Sequence, residues 1–317
     1  MLNSIPATGV SGTAGMRGQS GRRRKLGRPR LLIVGCGDIG MRIVSRVCDR
    51  FRVFALTSSP ARVAQLRAAG VVPIVGNLDH RASLARIASI AQRVIHLAPP
   101  PNDGRGDPRT RRLLNLLGAT RIVYISTSGV YGDHGGAWID EAAVPRPQNA
   151  RAFRRLAAER ACRAWQARAR GDGRRATVLR VPGIYALDRL PLDRLRAGTP
   201  ALLADEDVYT NHVHADDLAR IAITASMRGP AARVINAVDD TQIKMGEYFD
   251  RVADAFGLPR PPRLPRAQLQ AAVSPTMYSF MTESRRLRNT RLQRELRVRL
   301  RYPTVASALA EAARPQR

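Results

Sequence analysis

Three glycines at fixed spacing carry the clearest chemistry in this chain. Leu31-Leu32-Ile33-Val34 runs directly into Gly35-Cys36-Gly37-Asp38-Ile39-Gly40. A G-x-G-x-x-G turn between a buried-type strand and a helix suits a pyrophosphate. The first glycine makes the tight turn, the second lets a phosphate approach the backbone, and the third lets the helix pack on the strand. A helix over about residues 39–49 then aims its free N–H groups and positive dipole end at the anion. Gly35, Gly37, Asp38, Ile39 and Gly40 are therefore candidate positions for holding a dinucleotide.

A second strand, Arg52-Val53-Phe54-Ala55-Leu56, follows at the distance a dinucleotide fold requires and ends in Thr57-Ser58-Ser59-Pro60-Ala61-Arg62. An NAD-preferring site has an acidic residue at that strand end to hold the ribose 2′-hydroxyl. None occurs here. Thr57, Ser58, Ser59 and Arg62 instead offer hydroxyls and a guanidinium, which suit a 2′-phosphate. The expected cofactor is NADP, with NAD as the alternative.

The elements that must position these residues follow an alternating pattern. Strands are expected at 31–35, 52–57, 71–75, 93–98, 121–126 and 176–181, and helices near 39–49, 60–69, 81–90, 108–117 and 149–168. The strands are rich in Val, Ile and Leu without alternation, as expected when both faces are covered. The predicted fold is α/β: a doubly wound parallel sheet of Rossmann type over 30–182, followed by a smaller substrate lobe over 183–303 with segments returning to the sheet. A short strand at 234–238 and an amphipathic helix at 245–256 belong to that later section. Residues 1–29 are Gly/Ser-rich, basic and free of acid, and read as a disordered tail; residues 304–317 read as a second tail. Arg285 to Arg301 alternates basic and apolar residues and is expected to be a solvated face.

Composition narrows the class. The formal charge is +28, and all but two of the 53 basic residues (Lys25 and Lys244) are arginine. The arginines are scattered, with little aromatic interleaving and no helix-turn-helix or zinc-finger pattern, so specific nucleic-acid binding is not expected. Cys36, Cys48 and Cys162 lack metal-ligand spacing and point to a reducing compartment, the cytoplasm. No metal site is expected. No stretch approaches the roughly 18 apolar residues of a membrane span.

Five motifs in order resemble the extended short-chain dehydrogenase/reductases, the NAD-dependent epimerase/dehydratase type, over about residues 30–303. They are the glycine turn, His96-Leu97-Ala98, Ser126-Thr127-Ser128-Gly129-Val130-Tyr131-Gly132, Leu179 to Tyr185, and His212-Val213-His214-Ala215-Asp216-Asp217-Leu218-Ala219. The resemblance implies that Leu97, Ala98, Pro99 and Pro182 line the cofactor, that Asn77 and Leu78 lie beside the adenine, and that Thr127 is the catalytic hydroxyl. It also implies a dimer through helices beside the sheet. His96 and His214 read as structural histidines, and Asp216 as the cap of its helix.

The family's proton-transfer pair, Tyr-x-x-x-Lys, is missing. Anchoring the segment on Leu156-Ala157-Ala158-Glu159 puts Arg151 at the tyrosine position and Arg155 at the lysine position. No tyrosine lies between Tyr131 and Tyr185, and no lysine between Lys25 and Lys244. A guanidinium stays protonated and shuttles no proton. Arg155 can still hold a ribose hydroxyl, and Arg151, four residues away on the same helical face, suits a substrate anion. Tyr131 and Tyr185 are the only nearby phenols. The expectation is an NAD(P)-binding oxidoreductase or epimerase/dehydratase-like protein acting on a small polar substrate, with Thr127 and Tyr131 as catalytic candidates. A catalytically silent NADP-binding sensor or scaffold is the competing reading.

Overall fold

Runs of Val, Ile and Leu that lack two-residue alternation need cover on both faces. In the computed structural model, which describes residues 27–88, 90, 92–168 and 171–312, they receive it. Seven parallel strands form one sheet: β1 (Arg30–Val34), β2 (Arg52–Thr57), β3 (Val72–Val75), β4 (Arg93–His96), β5 (Arg121–Thr127), β6 (Arg175–Val181) and β7 (Arg233–Asn236). Their spatial order is β7-β6-β5-β4-β1-β2-β3. Successive side chains alternate between two cores. Leu31, Ile33, Val53, Ile95 and Val123 pack beneath helices α1 (Asp38–Val47) and α5 (Ala215–Arg228). Leu32, Val34, Phe54, Val94 and Tyr124 pack on the other face with α3 (Pro108–Leu116) and α4 (Ala150–Ala167). The sheet is doubly wound, as the alternating pattern predicts.

Several segments differ from the sequence expectation. The helix expected at 60–69 begins as a 3-10 turn, Pro60–Arg62, before α2 (Val63–Ala68). The one expected at 81–90 is a 3-10 helix over Arg81–Ile87, and its N-cap, His80, makes no side-chain cap bond. The expected strand at 234–238 is β7, which returns to the sheet edge beside β6. The stretch from Arg285 to Arg301 is not a solvated face. Arg286–Leu287 pairs with Trp138–Ile139, and Leu287, Leu292, Leu296 and Val298 are buried. Of the two expected tails, residues 1–26 and 313–317 lie outside the described residues. Residues 305–312 are helical rather than tail, because α7 (Val305–Ala312) buries Val305, Ala308 and Leu309 in the smaller lobe. That lobe's core also holds Tyr185, Tyr248, Phe249 and Val252, the last three on α6 (Met245–Ala255).

Charge ties the lobe to the sheet. Arg42 on α1 donates to Asp38, to Asp216 at the start of α5, and to Asp188 of the lobe. Deeper, under the C-terminal strand ends, Arg180 of β6 pairs with Glu159 of α4 at 2.7 Å, and the Ser126 hydroxyl donates to Glu159 at 2.6 Å. Both partners are almost wholly excluded from water. Removing one partner strands a buried charge, which costs about 3–5 kcal/mol. Urea denaturation of Glu159→Ala is expected to lose stability on that scale, with most of it recovered in Glu159→Leu/Arg180→Met. A loss under about 1 kcal/mol in the single variant would contradict a structural role for the pair.

Candidate functional site

The strand order reverses between β4 and β1, so the chain leaves these two strands toward helices on opposite faces of the sheet, α1 and α3, with a crevice at the reversal. The N–H groups of Leu97 and Ala98 both donate to the Val34 carbonyl, at 2.8 and 2.9 Å. That contact brings the loop after β4 against the glycine turn. Gly35 has φ +84°, and a Cβ there would sit 2.5 Å from the Ala98 nitrogen. A Cβ on Gly37 would meet nothing within 4 Å, so this residue's backbone faces open space. A Cβ on Gly40 would lie 3.0 Å from the Cys36 sulfur, so a side chain there would crowd Cys36 where α1 packs on the turn. Three glycines thus have three separate physical reasons. The N-terminus of α1 has no side-chain cap, leaving first-turn N–H groups for a ligand.

A groove runs over this turn. On its β5 side is a cavity of about 330 Å³ lined by Gly35, Gly37, Asp38, Ile39, Gly40, Leu97, Thr127, Arg155 and Pro182. On its β2 side is one of about 430 Å³ lined by Thr57, Ser58, Ser59, Arg62, Asn77, Leu78, Ala98 and Pro99. Gly35, Gly37 and Leu97 line both. Every position expected to hold the cofactor therefore borders one continuous groove, which fits a dinucleotide laid across the turn.

The β2 end carries positive charge and no carboxylate along its lining. Arg62 is held over the turn by donating to the Cys36 carbonyl and to Gln65 Oε1. Arg109, which sequence reasoning missed, also lines this end and is braced by Asp79. The Arg109 guanidinium in turn holds the Asp79 carboxyl below the usual carboxylate range. Its one visible signal was Asp107-Pro108, an N-cap followed by proline, which starts α3 and fixes where Arg109 points.

At the other end, Thr127 closes β5 and accepts from the Gly129 N–H at 3.2 Å. It lines both the groove and a larger cavity of about 540 Å³ under the lobe. Arg155 donates to the Ile125 carbonyl at 2.8 Å and to the Tyr124 hydroxyl at 3.2 Å, which pins its guanidinium at the groove wall. Arg151 lines both spaces, with its guanidinium 4.5 Å over the Phe280 ring. Partial burial, then the positive charge of Arg155, lower its pKa. Arg189 also lines both, and reaches back to Asp38 at 2.7 Å.

Tyr131 does not join them. It is 0% exposed and lines none of these cavities. Its hydroxyl donates to Asn236 Oδ1 at 2.8 Å, and Arg180 stacks on its ring at 4.5 Å. The 3-10 turn Ser128–Tyr131 turns the ring into a small core with Ile139, Val238 and Leu287, and burial raises its pKa. Tyr185 lines the large cavity but packs in the lobe core, and burial pushes its phenol up strongly. His96 is structural: wholly buried, it pairs with the Thr110 hydroxyl at 2.9 Å, and burial pushes it down to about 3. Asp216 is not the cap of α5. His214 is, accepting from the Asp216 N–H, while the Asp216 carboxylate pairs with Arg42 and Arg46. Among the described residues no His, Cys, Asp and Glu group could hold a metal ion, and no helix is long and apolar enough to cross a membrane.

A parallel sheet with a glycine-turn groove at its switch point defines a nucleotide-binding α/β protein. The chain belongs to the NAD dependent epimerase/dehydratase family, whose model matches residues 31–237. Among solved structures, a conserved protein of unknown function from Silicibacter pomeroyi is 27% identical, with a TM-score of 0.74 over 89% of this chain and 97% of that one. The UDP-glucose 4-epimerase of Thermotoga maritima is 18% identical, with a TM-score of 0.72 over 90% and 97%. A double mutant of the dTDP-glucose 4,6-dehydratase of Streptomyces venezuelae, solved with NAD, is 20% identical, with a TM-score of 0.70 over 90% and 95%. The last two share the fold. Among curated proteins the sequence has no match.

Two predictions follow from this geometry. Gly35→Ala forces a Cβ into the Ala98 backbone at a positive φ, so it is expected to lower the melting temperature and to weaken any groove ligand more than tenfold. An unchanged melting curve would contradict the close approach. Asp239, 3% exposed behind the cavity wall, is pushed up to about 7 by burial, against the Thr241 N–H that donates to it at 2.9 Å. Its raised pKa favours the protonated native state. Its stabilising contribution is therefore full below about pH 4 and lost as pH rises through about 7, worth at most ~4 kcal/mol. The stability difference between the wild type and Asp239→Asn should change with that slope over this window. A pH-independent difference would refute it.

Proposed function

We propose that the groove binds a nicotinamide dinucleotide, NADP in preference to NAD, and that the protein is an oxidoreductase or epimerase/dehydratase-like enzyme acting on a small polar substrate under the lobe. One observation carries this reading: all the expected cofactor positions border one groove, and that groove meets the large cavity at Thr127. The β2 end, where among the described residues Arg62 has no carboxylate partner, Arg109 is paired with Asp79 and no carboxylate lines the wall, matches a 2′-phosphate. When bound, the nicotinamide supplies a hydride donor or acceptor.

The chain's own residues divide the remaining work. The α1 N-terminus and the glycine turn hold the pyrophosphate. Arg155, fixed by Ile125 and Tyr124, is within the groove to bond a ribose hydroxyl and to add positive potential. The Thr127 hydroxyl bonds the substrate oxygen at the junction of the two spaces. No phenol and ammonium stand where the family keeps its proton-transfer pair. Charge developing on the substrate oxygen would be met by Thr127 and the field of fixed guanidinium groups, an electrostatic contribution that in other enzymes is worth about 10²–10³ in rate per donor.

The missing pair also supports the second reading, a silent NADP sensor or scaffold. Fluorescence titration with NADPH and NADH tests the shared claim. NADPH is expected to bind more tightly, and Arg62→Ala to weaken NADPH by about 10–100-fold while changing NADH by less than about threefold. Absence of saturable binding by either would overturn the dinucleotide reading. Binding without hydride exchange to any carbonyl or hydroxyl substrate would leave the sensor.

A further inference from the structure

The charges around the large cavity are uneven in an informative way. Three arginines line it. Arg189 is paired with Asp38 at 2.7 Å and Arg285 with Glu283 at 2.8 Å. Among the described residues, Arg151 has no carboxylate within ion-pair distance. Its guanidinium lies 4.5 Å over Phe280, and stacking occupies a face while leaving the in-plane N–H edge for a partner. The cavity therefore holds one guanidinium with no carboxylate in ion-pair contact, which feels Glu283 only from further away.

The count selects the ligand. One free guanidinium balances one negative charge, and Glu283 on the same wall opposes a dianion such as a phosphate monoester. A planar monoanion with two oxygens, a carboxylate, matches the free edge of Arg151 in bidentate geometry. Arg151 and Thr127 both line the groove as well as the cavity, so the anion would lie close to the reacting carbon. Met245, Tyr248, Phe249 and Met277 supply apolar lining. We propose that the substrate is a small carboxylic acid with a hydroxyl or carbonyl close to its carboxylate. Arg151 grips the carboxylate, Thr127 meets the neighbouring oxygen, and an apolar body faces α6. The position of the oxygen rests on the dinucleotide reading above; the carboxylate grip does not.

Calorimetry with phenylpyruvate, its methyl ester, inorganic phosphate and UDP-glucose tests this, with and without saturating oxidised NADP. Phenylpyruvate is expected to bind, and the ester to bind at least about tenfold more weakly. Arg151→Ala should weaken phenylpyruvate at least about tenfold, and Arg151→Lys should be intermediate, because it keeps the charge and loses the fork. Both variants should unfold cooperatively at a melting temperature close to that of the wild type, which reports that they fold. The proposal is overturned if phenylpyruvate does not bind, if the ester binds equally well, or if the Arg151 variants bind the acid unchanged. Preference for phosphate or UDP-glucose over phenylpyruvate would overturn it too. Loss of NADPH binding in the wild type with acid binding intact would sink the dinucleotide reading and leave the carboxylate grip standing.

Discussion

The close approach of two loops at the strand-order reversal is the constraint on which the rest of this molecule depends. The Val34 carbonyl receives both N–H groups of the loop after β4, and Gly35 fits there because its positive φ and missing Cβ let Ala98 come within contact. From that junction α1 departs with its N-terminus free of side-chain caps, and the groove passes over it in both directions. The seven-stranded sheet supplies the rigidity, with strand residues alternating between two cores. The candidate site residues gather at its C-terminal edge: the glycine turn, the strand ends at Thr57 and Thr127, and Arg151 and Arg155 on α4.

The second organising feature is a pair of fixed charges, Arg151 and Arg155, four residues apart on α4. A tyrosine and a lysine i and i+4 on α4 would exchange a proton; Arg151 and Arg155 at those positions cannot. What they provide is positive potential at the junction of groove and cavity, with Arg155 locked to β5 and Arg151 braced on an aromatic ring. The buried Arg180–Glu159 pair lies just beneath, and it holds Ser126 and the Tyr131 ring. Arginine's geometry, more than its charge, decides these roles, since a planar fork can stack and donate at once.

Much of this was legible in the sequence because the signals were local. The glycine spacing, the unalternating strands and the acid-free end of β2 each encode a geometry within a few residues. Asp107-Pro108 likewise marks the start of α3. Tyr131 was misread because its role depends on the direction of a 3-10 turn and on Asn236 and Arg180, which come from strands far away in sequence. The capping of α5 by His214 is invisible for a similar reason: Asp216 has the better capping chemistry, but Arg42 and Arg46 draw its carboxylate away. The segment from Arg285 to Arg301 looked solvated because eight of its seventeen residues are arginine, yet the intervening leucines complete a core that only the folded sheet edge reveals. The charge balance around Arg151 is likewise a tertiary property, set by Asp38, Glu283 and Phe280 from separate parts of the chain.

A crystal structure of the protein with NADPH tests the central claim most directly. The account predicts the pyrophosphate over Gly35 to Gly40, the 2′-phosphate between Arg62 and Arg109, and the nicotinamide beside Thr127 with a ribose hydroxyl on Arg155. A nucleotide bound with its nicotinamide turned away from Thr127, or bound outside the groove, would contradict it.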